Sequence, residues 1–216
     1  MRQKQLFSWR TAVRLMFLAL FIGVIAIGKF QLWLIVYAAG VIASLFLGRL
    51  YCGHACPMHT VMRPVSAWSR KVGIQRKHVP RWLADHRTAY LMLALTVVTM
   101  LLAKRFMGVQ LPVLPILFVL SVIVTIFLPD EVWHKALCPY SVLLRIGARF
   151  SRFSHAVDSH ACTRTHKCLR VCPAGAITMD GAQKTARIDR SLCLQCELCS
   201  DICPRSAIAF GRLEKL

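Results

Sequence analysis

The stretch Cys193-Leu-Gln-Cys196-Glu-Leu-Cys199-Ser-Asp-Ile-Cys203-Pro204 constrains this chain more than any other feature. Spacing of x2, x2 and x3 before a proline lets three thiolates wrap one face of an iron–sulfur cubane while the fourth points to a second cluster. The proline stops the short helix and turns the chain. Zinc held by four cysteines is the rival reading, since Cys-x2-Cys pairs serve both. The third x2-spaced cysteine and the Cys-Pro favour iron–sulfur. Disulfides fit less well, because they belong to oxidising compartments and small secreted domains.

The same pattern stands 31 residues earlier. Asp158, Cys162, Cys168, Cys172, Pro173, Ala176 and Ile177 align with Asp189, Cys193, Cys199, Cys203, Pro204, Ala207 and Ile208. Crossing of the last cysteine between repeats then gives one [4Fe–4S] cluster to Cys193, Cys196, Cys199 and Cys172. The other set is Cys162, Cys168 and Cys203. Thr165 stands where the second repeat has Cys196, and threonine is a poor iron ligand. Three readings stay open there: a [3Fe–4S] cluster, a [4Fe–4S] cluster whose labile iron is bound by solvent or His166, or a lost cluster.

Upstream of residue 158 the chain reads as membrane-embedded. Of its residues 56% are hydrophobic, and mean hydropathy is +0.54. Apolar runs predict spans near 12–29, 30–48, 87–104 and 108–129 within a transmembrane domain 1–157, followed by a small α+β domain over 158–216. A single helix from Leu15 to Gly48 would be about 50 Å long, against a bilayer core of about 30 Å. A hairpin turn at 28–31 is therefore expected. The first run is short and reaches both interfaces if Arg14 and Lys29 snorkel. It lacks a small-residue cleavage site, so a retained span is expected.

Basic residues set the orientation. Lys and Arg number 25 in the termini and middle loop and 3 in the two hairpin turns, which places both termini in the cytoplasm. The formal net charge of +19 follows from that topology, and it favours anionic lipid and an acidic redox partner. Nucleic-acid binding is not expected, because no basic patch with stacking aromatics accompanies the charge. Arg145 to Ser154 reads as a basic amphipathic connector on the membrane surface.

The membrane part repeats too, at an offset of 82: Cys56-Pro57 aligns with Cys138-Pro139 and Arg63 with Arg145. His134 stands where the first half has Cys52. Two parallel hairpins would place the segments 52–57 and 134–139 side by side on the cytoplasmic face. Cys52, Cys56, Cys138 and His134 are thus candidate ligands of a third metal or cluster. His54 and His59 read as interfacial residues. All eight histidines fall outside the apolar runs, so a mid-membrane haem is not expected. With no redox ligand inside the bilayer, the chain alone is not expected to carry electrons across the membrane; it would take them from quinol at the cytoplasmic face or from a partner that reaches the other side.

At these residues the chain resembles the membrane-bound ferredoxin-type proteins of the NapH-like group, and NosR- and CcoG-type proteins share parts of the pattern. RLYCGHACP, LCPYSVL and the paired cysteine runs carry the resemblance, with departures at His134 and Thr165. It implies a multi-pass protein of the bacterial inner membrane that passes electrons between the quinone pool and a redox partner, an oxidoreductase component. Two alternatives remain: a metal-handling factor that binds or reduces copper for oxidase assembly, and a cluster-based redox sensor. No Gly-rich phosphate loop is present, and no general acid–base pair indicates catalysis by the protein itself.

Overall fold

In a computed structural model, the chain is described at residues 2–76, 79, 80, 83, 85, 87–108, 111–181 and 185–212. Helix α1 (Arg2–Ala26) and helix α2 (Trp33–Leu47) form the first hairpin. Gly28, at φ +74°, makes the expected turn between them, a conformation that glycine adopts without steric penalty. Among the described residues, three segments are long and apolar enough to cross a membrane: Trp9–Ala26, Phe30–Leu47 and Thr88–Phe106. Val113–Phe127, the core of the expected fourth span, has 15 residues, about 22 Å of helix. It starts late because Pro112 caps it and Pro115 occupies its first turn, positions that need no intrahelical N–H partner.

Gly48, at φ +67°, ends α2, and the chain doubles back. Helix α3 (Leu50–His54) lies against the helix it has just left. A Cβ on Gly40 would sit 2.8 Å from the Tyr51 ring, so only glycine admits this approach. The Trp33 indole N–H donates to the Tyr51 hydroxyl at 2.8 Å. The segment past the end of α2 has thus returned to its middle, with a side chain reaching its first residue. Helix α4 (Pro57–Val72) then runs beside the later apolar helix: Met58 and Met62 pack with Leu117, and Gln75 donates to the carbonyls of Thr125 and Leu128 at 3.0 and 2.9 Å.

The second half follows. Helices α5 (Thr88–Leu102) and α6 (Val113–Phe127) are followed by a short turn α7 (Asp130–Val132), a π-helical turn Trp133–Leu137 and helix α8 (Tyr140–Arg149). The Tyr37 hydroxyl donates to the Tyr140 carbonyl at 2.8 Å, while Gly147, further along α8, abuts Ser44 near the end of α2. Each half therefore sends its post-hairpin helix along an apolar helix of the other. The expected connector is two-faced: Arg145, Gly147, Ala148, Ser151 and Ser154 are buried, while Ile146, Arg149, Phe150, Arg152 and Phe153 are exposed.

The C-terminal domain holds two antiparallel pairs, β1 (Phe153–Val157) with β4 (Ile208–Arg212) and β2 (Ile177–Met179) with β3 (Ala186–Ile188). Helices α9 (Lys167–Val171) and α10 (Leu198–Ile202) carry the middle of each cysteine run. The domain docks on α1 and α3. Arg14 does not snorkel to lipid. It is 5% exposed and donates to the carbonyls of Gly53 (2.8 Å) and Cys196 (3.1 Å). Arg10 pairs with Glu197 and with Asp201.

Candidate iron–sulfur sites

The two cysteine runs fold into matching loops. In the first, Arg164 and His166 take positive φ; in the second, Gln195 and Glu197 do so, at the same offset of 31. Left-handed backbone at a residue with a side chain costs about 1–2 kcal/mol. Its recurrence at four positions marks loops shaped to turn successive cysteines toward a common centre. Thr165 sits in a loop with this shape, as Cys196 does in the other.

Each loop borders its own cavity. One is lined by Cys193, Cys196, Cys199 and Cys172, the last from the other repeat. The second is lined by Cys162, Cys168 and Cys203, with Thr165 and His166 on the same wall. These are the crossed sets that the sequence predicts. Both crossing cysteines accept a backbone hydrogen bond, Ala176 N–H to Cys172 Sγ and Ala207 N–H to Cys203 Sγ, each at 3.3 Å. Donors aimed at sulfur stabilise a thiolate or cluster ligand. All ten cysteines are free thiols.

The environments differ. Cys193, Cys196 and Cys199 are buried, whereas Thr165 and His166 are exposed. Burial pushes the Cys193 thiol up to about 12 and the Cys196 thiol up to about 11, with neighbouring cysteines adding to both. Cys172 and Cys199 are raised for the same first reason. Without a metal these thiols stay protonated at neutral pH, so ligation releases protons. Gln195 anchors the second loop: its side-chain oxygen lies 2.6 Å from His155 Nδ1, and its amide donates to Ser154 Oγ at 3.0 Å.

The residues of the third expected set border a common space. Cys52, Cys56, Cys138 and His134 line one cavity between the halves. It lies elsewhere than expected, however. The doubling-back of both segments carries them past the ends of α2 and α6 and in among Trp33, Tyr37 and Leu114, residues from the start of those helices. His59 was expected at an interface; it is 1% exposed, with Nδ1 3.2 Å from His134 Nε2. Sequence reasoning missed this pair because its members are 75 residues apart. Among the described residues, no three His, Cys, Asp or Glu side chains gather closely enough to hold a single metal ion. His78 and His86 lie outside the described residues.

Thiol sets that border cavities, with amide donors on sulfur, fit a polynuclear cluster better than a lone ion. Comparison with known families agrees. A 4Fe–4S dicluster domain matches residues 161–207, and a 4Fe–4S binding domain matches twice, over 30–75 and 110–155. No curated protein and no solved structure matches the chain. The chain carries 4Fe–4S ferredoxin-type domains, the C-terminal one docked on a helical body in which, among the described residues, three apolar helices are of membrane-spanning length.

Proposed function

We propose that this protein is a membrane-anchored electron-transfer component, relaying electrons between the quinone pool or a membrane partner and a separate redox protein. When bound, the clusters supply one-electron redox chemistry. The observation that carries this reading is the pair of cavities bordered by crossed cysteine sets. Cys172, Cys193, Cys196 and Cys199 would hold a [4Fe–4S] cluster. Cys162, Cys168 and Cys203 would hold a second, with Thr165 leaving one corner without a thiolate. The strained backbone retained around Thr165 argues for a kept site over a lost one, since such strain persists where a function over-determines it.

Residues around the two sites divide the labour. Burial of Cys193 and Cys196 under α1 and α3 shields the inner site from solvent. Exposed Thr165 and His166 leave the outer site at the surface, where a redox partner of acidic character would dock against Arg164, Lys167 and Arg170. A cavity at the turn end of the helices, bordered by Gln31, Leu34, Met100, Lys104 and Tyr140, supports access by a lipophilic donor such as quinol. The excess of basic residues in the termini and middle loop supports a bacterial inner-membrane location with cytoplasmic termini, and four spans if Val113–Phe127 crosses a thinned bilayer.

Substitution tests the crossing. Cys172→Ser is expected to remove the inner cluster and spare the outer one, and Cys203→Ser the reverse, read by iron content and EPR. Loss of the nearer-in-sequence cluster in each case would contradict the assignment.

A further inference from the structure

We infer that the cavity between the membrane halves binds one iron–sulfur cluster shared by both, ligated by Cys52, Cys56, Cys138 and His134 and balanced by Arg49. The inference rests on reading the chain as an iron–sulfur electron-transfer protein. The family match places 4Fe–4S binding in each half but names neither a shared site nor its ligands.

Four observations carry it. First, the four side chains line one enclosed space although they come from segments about 80 residues apart in sequence. Doubling back puts both Cys-Pro steps inside the helical body, each at the start of a helix. Second, Arg49 borders the same cavity and is 0% exposed. Its contacts are the Cys52 sulfur at 3.6 Å and the Leu192 carbonyl at 3.4 Å, and its Nε has no partner. Among the described residues no carboxylate pairs with it. An uncompensated buried cation is costly, because its lost hydration is not replaced. A thiolate-ligated cluster is an anion, and its presence beside Arg49 supplies the missing counter-charge.

Third, the donor set is three thiols and one imidazole. Soft thiolates around a larger space suit iron–sulfur. Fourth, His134 is held from behind by His59 at 3.2 Å, the partner arrangement that orients a ligating imidazole. A π-helical turn carries His134, a device frequent at functional sites.

The location matters for function. Leu117, packed against Cys138, lies ten residues before the end of α6, about 15 Å along its axis. At the other side, Cys52 shares a packed core with Cys193 and Cys196, and Arg49 touches both Cys52 and the residue preceding Cys193. A redox centre here extends the relay from the ferredoxin-like domain into the membrane layer, toward the cavity at the turn end.

The test uses full-length protein purified anaerobically in detergent, with iron, sulfide and copper quantified and EPR recorded across a reductive titration. Wild type is compared with Cys138→Ser and His134→Cys. The inference expects Cys138→Ser to lose about four irons for a cubane and one reduced-state signal, with the ferredoxin-domain signals intact. It expects His134→Cys to keep the iron and shift one signal to lower potential, because histidine ligation raises cluster potential. Unchanged iron and spectra in both variants overturn the inference and leave the two-cluster reading standing. Stoichiometric copper lost with Cys138 also overturns it. Absence of iron from wild type would instead sink the electron-transfer reading itself.

Discussion

Gly53 lies directly against the backbone carbonyl of Leu194, with no room for a side chain between them; a Cβ there would also stand 3.1 Å from the amide nitrogen of Cys196. This contact fixes the ferredoxin-like domain on the helical body, and it joins the loop of the inner cysteine set to the segment Cys52–Cys56.

Gly53→Val is accordingly expected to weaken docking. Overpacking of a tight contact costs about 1–3 kcal/mol, and the obstacle here is backbone, which cannot step aside. Thermal unfolding in detergent should shift to lower temperature, with faster proteolysis between α8 and β1. Gly181→Ala, at a position open on all sides, should leave both unchanged. Equal behaviour of the two variants would contradict the docking role.

How much of this was legible beforehand differs by region. The cysteine run and its repeat determine the two ferredoxin-like sites because ligand spacing is local, and short loops leave the cysteines little choice of partner. Thr165 was visible as a departure for the same reason. The placement of Cys52, Cys56 and Cys138 around one cavity inside the helical body was not. Hydropathy detects apolar runs, and the segments 48–56 and 129–139 are short and polar, so they read as chain leaving the membrane. What returns them is steric: Gly40 admits Tyr51 and Gly147 admits Ser44. Glycines at those positions were the available signal, but they acquire meaning only once a partner helix is known. The burial of Arg14 and Arg49 was hidden likewise, since a basic residue at a span end ordinarily reads as snorkelling. His59 sits in a stretch amphipathic enough to suggest an interface, and its partner comes from the other half.

Thr165→Cys is expected to complete the outer site. Iron per chain should rise by about one, the corner that a fourth thiolate adds to a cubane, and any three-iron signal in the oxidised protein should disappear. Identical iron content and spectra would mean that the fourth iron is held without residue 165.

Gln195 offers a prediction about the inner loop. Its side chain is buried and satisfies both His155 and Ser154. Gln195→Leu leaves those two groups unpaired, at a cost of about 1–3 kcal/mol. The domain should unfold at lower denaturant, and the inner cluster should be lost to a chelator faster than in the wild type while loss of the outer one is unchanged. Equal acceleration of both would contradict a local anchoring role.

The raised thiols give a pH dependence to the iron-free protein. Cys193 and Cys196 titrate near 12 and 11 when folded, against about 8.5 when unfolded. The folded state therefore binds more protons above about pH 8.5, and stability falls as pH rises from there toward the folded values. Chelator-stripped protein should melt at lower temperature at pH 10 than at pH 7. The loaded protein, whose thiolates are already deprotonated, should show a smaller drop. An apo melting temperature that is flat or rising over this range would contradict the burial of these thiols.

The most direct test of the central claim is iron quantification with EPR on the full-length protein, purified anaerobically and then reduced with dithionite. The account predicts at least seven irons per chain and a reduced spectrum containing a [4Fe–4S] signal that Cys199→Ser abolishes. Zinc in place of iron at that site, or no signal sensitive to Cys199, would contradict it.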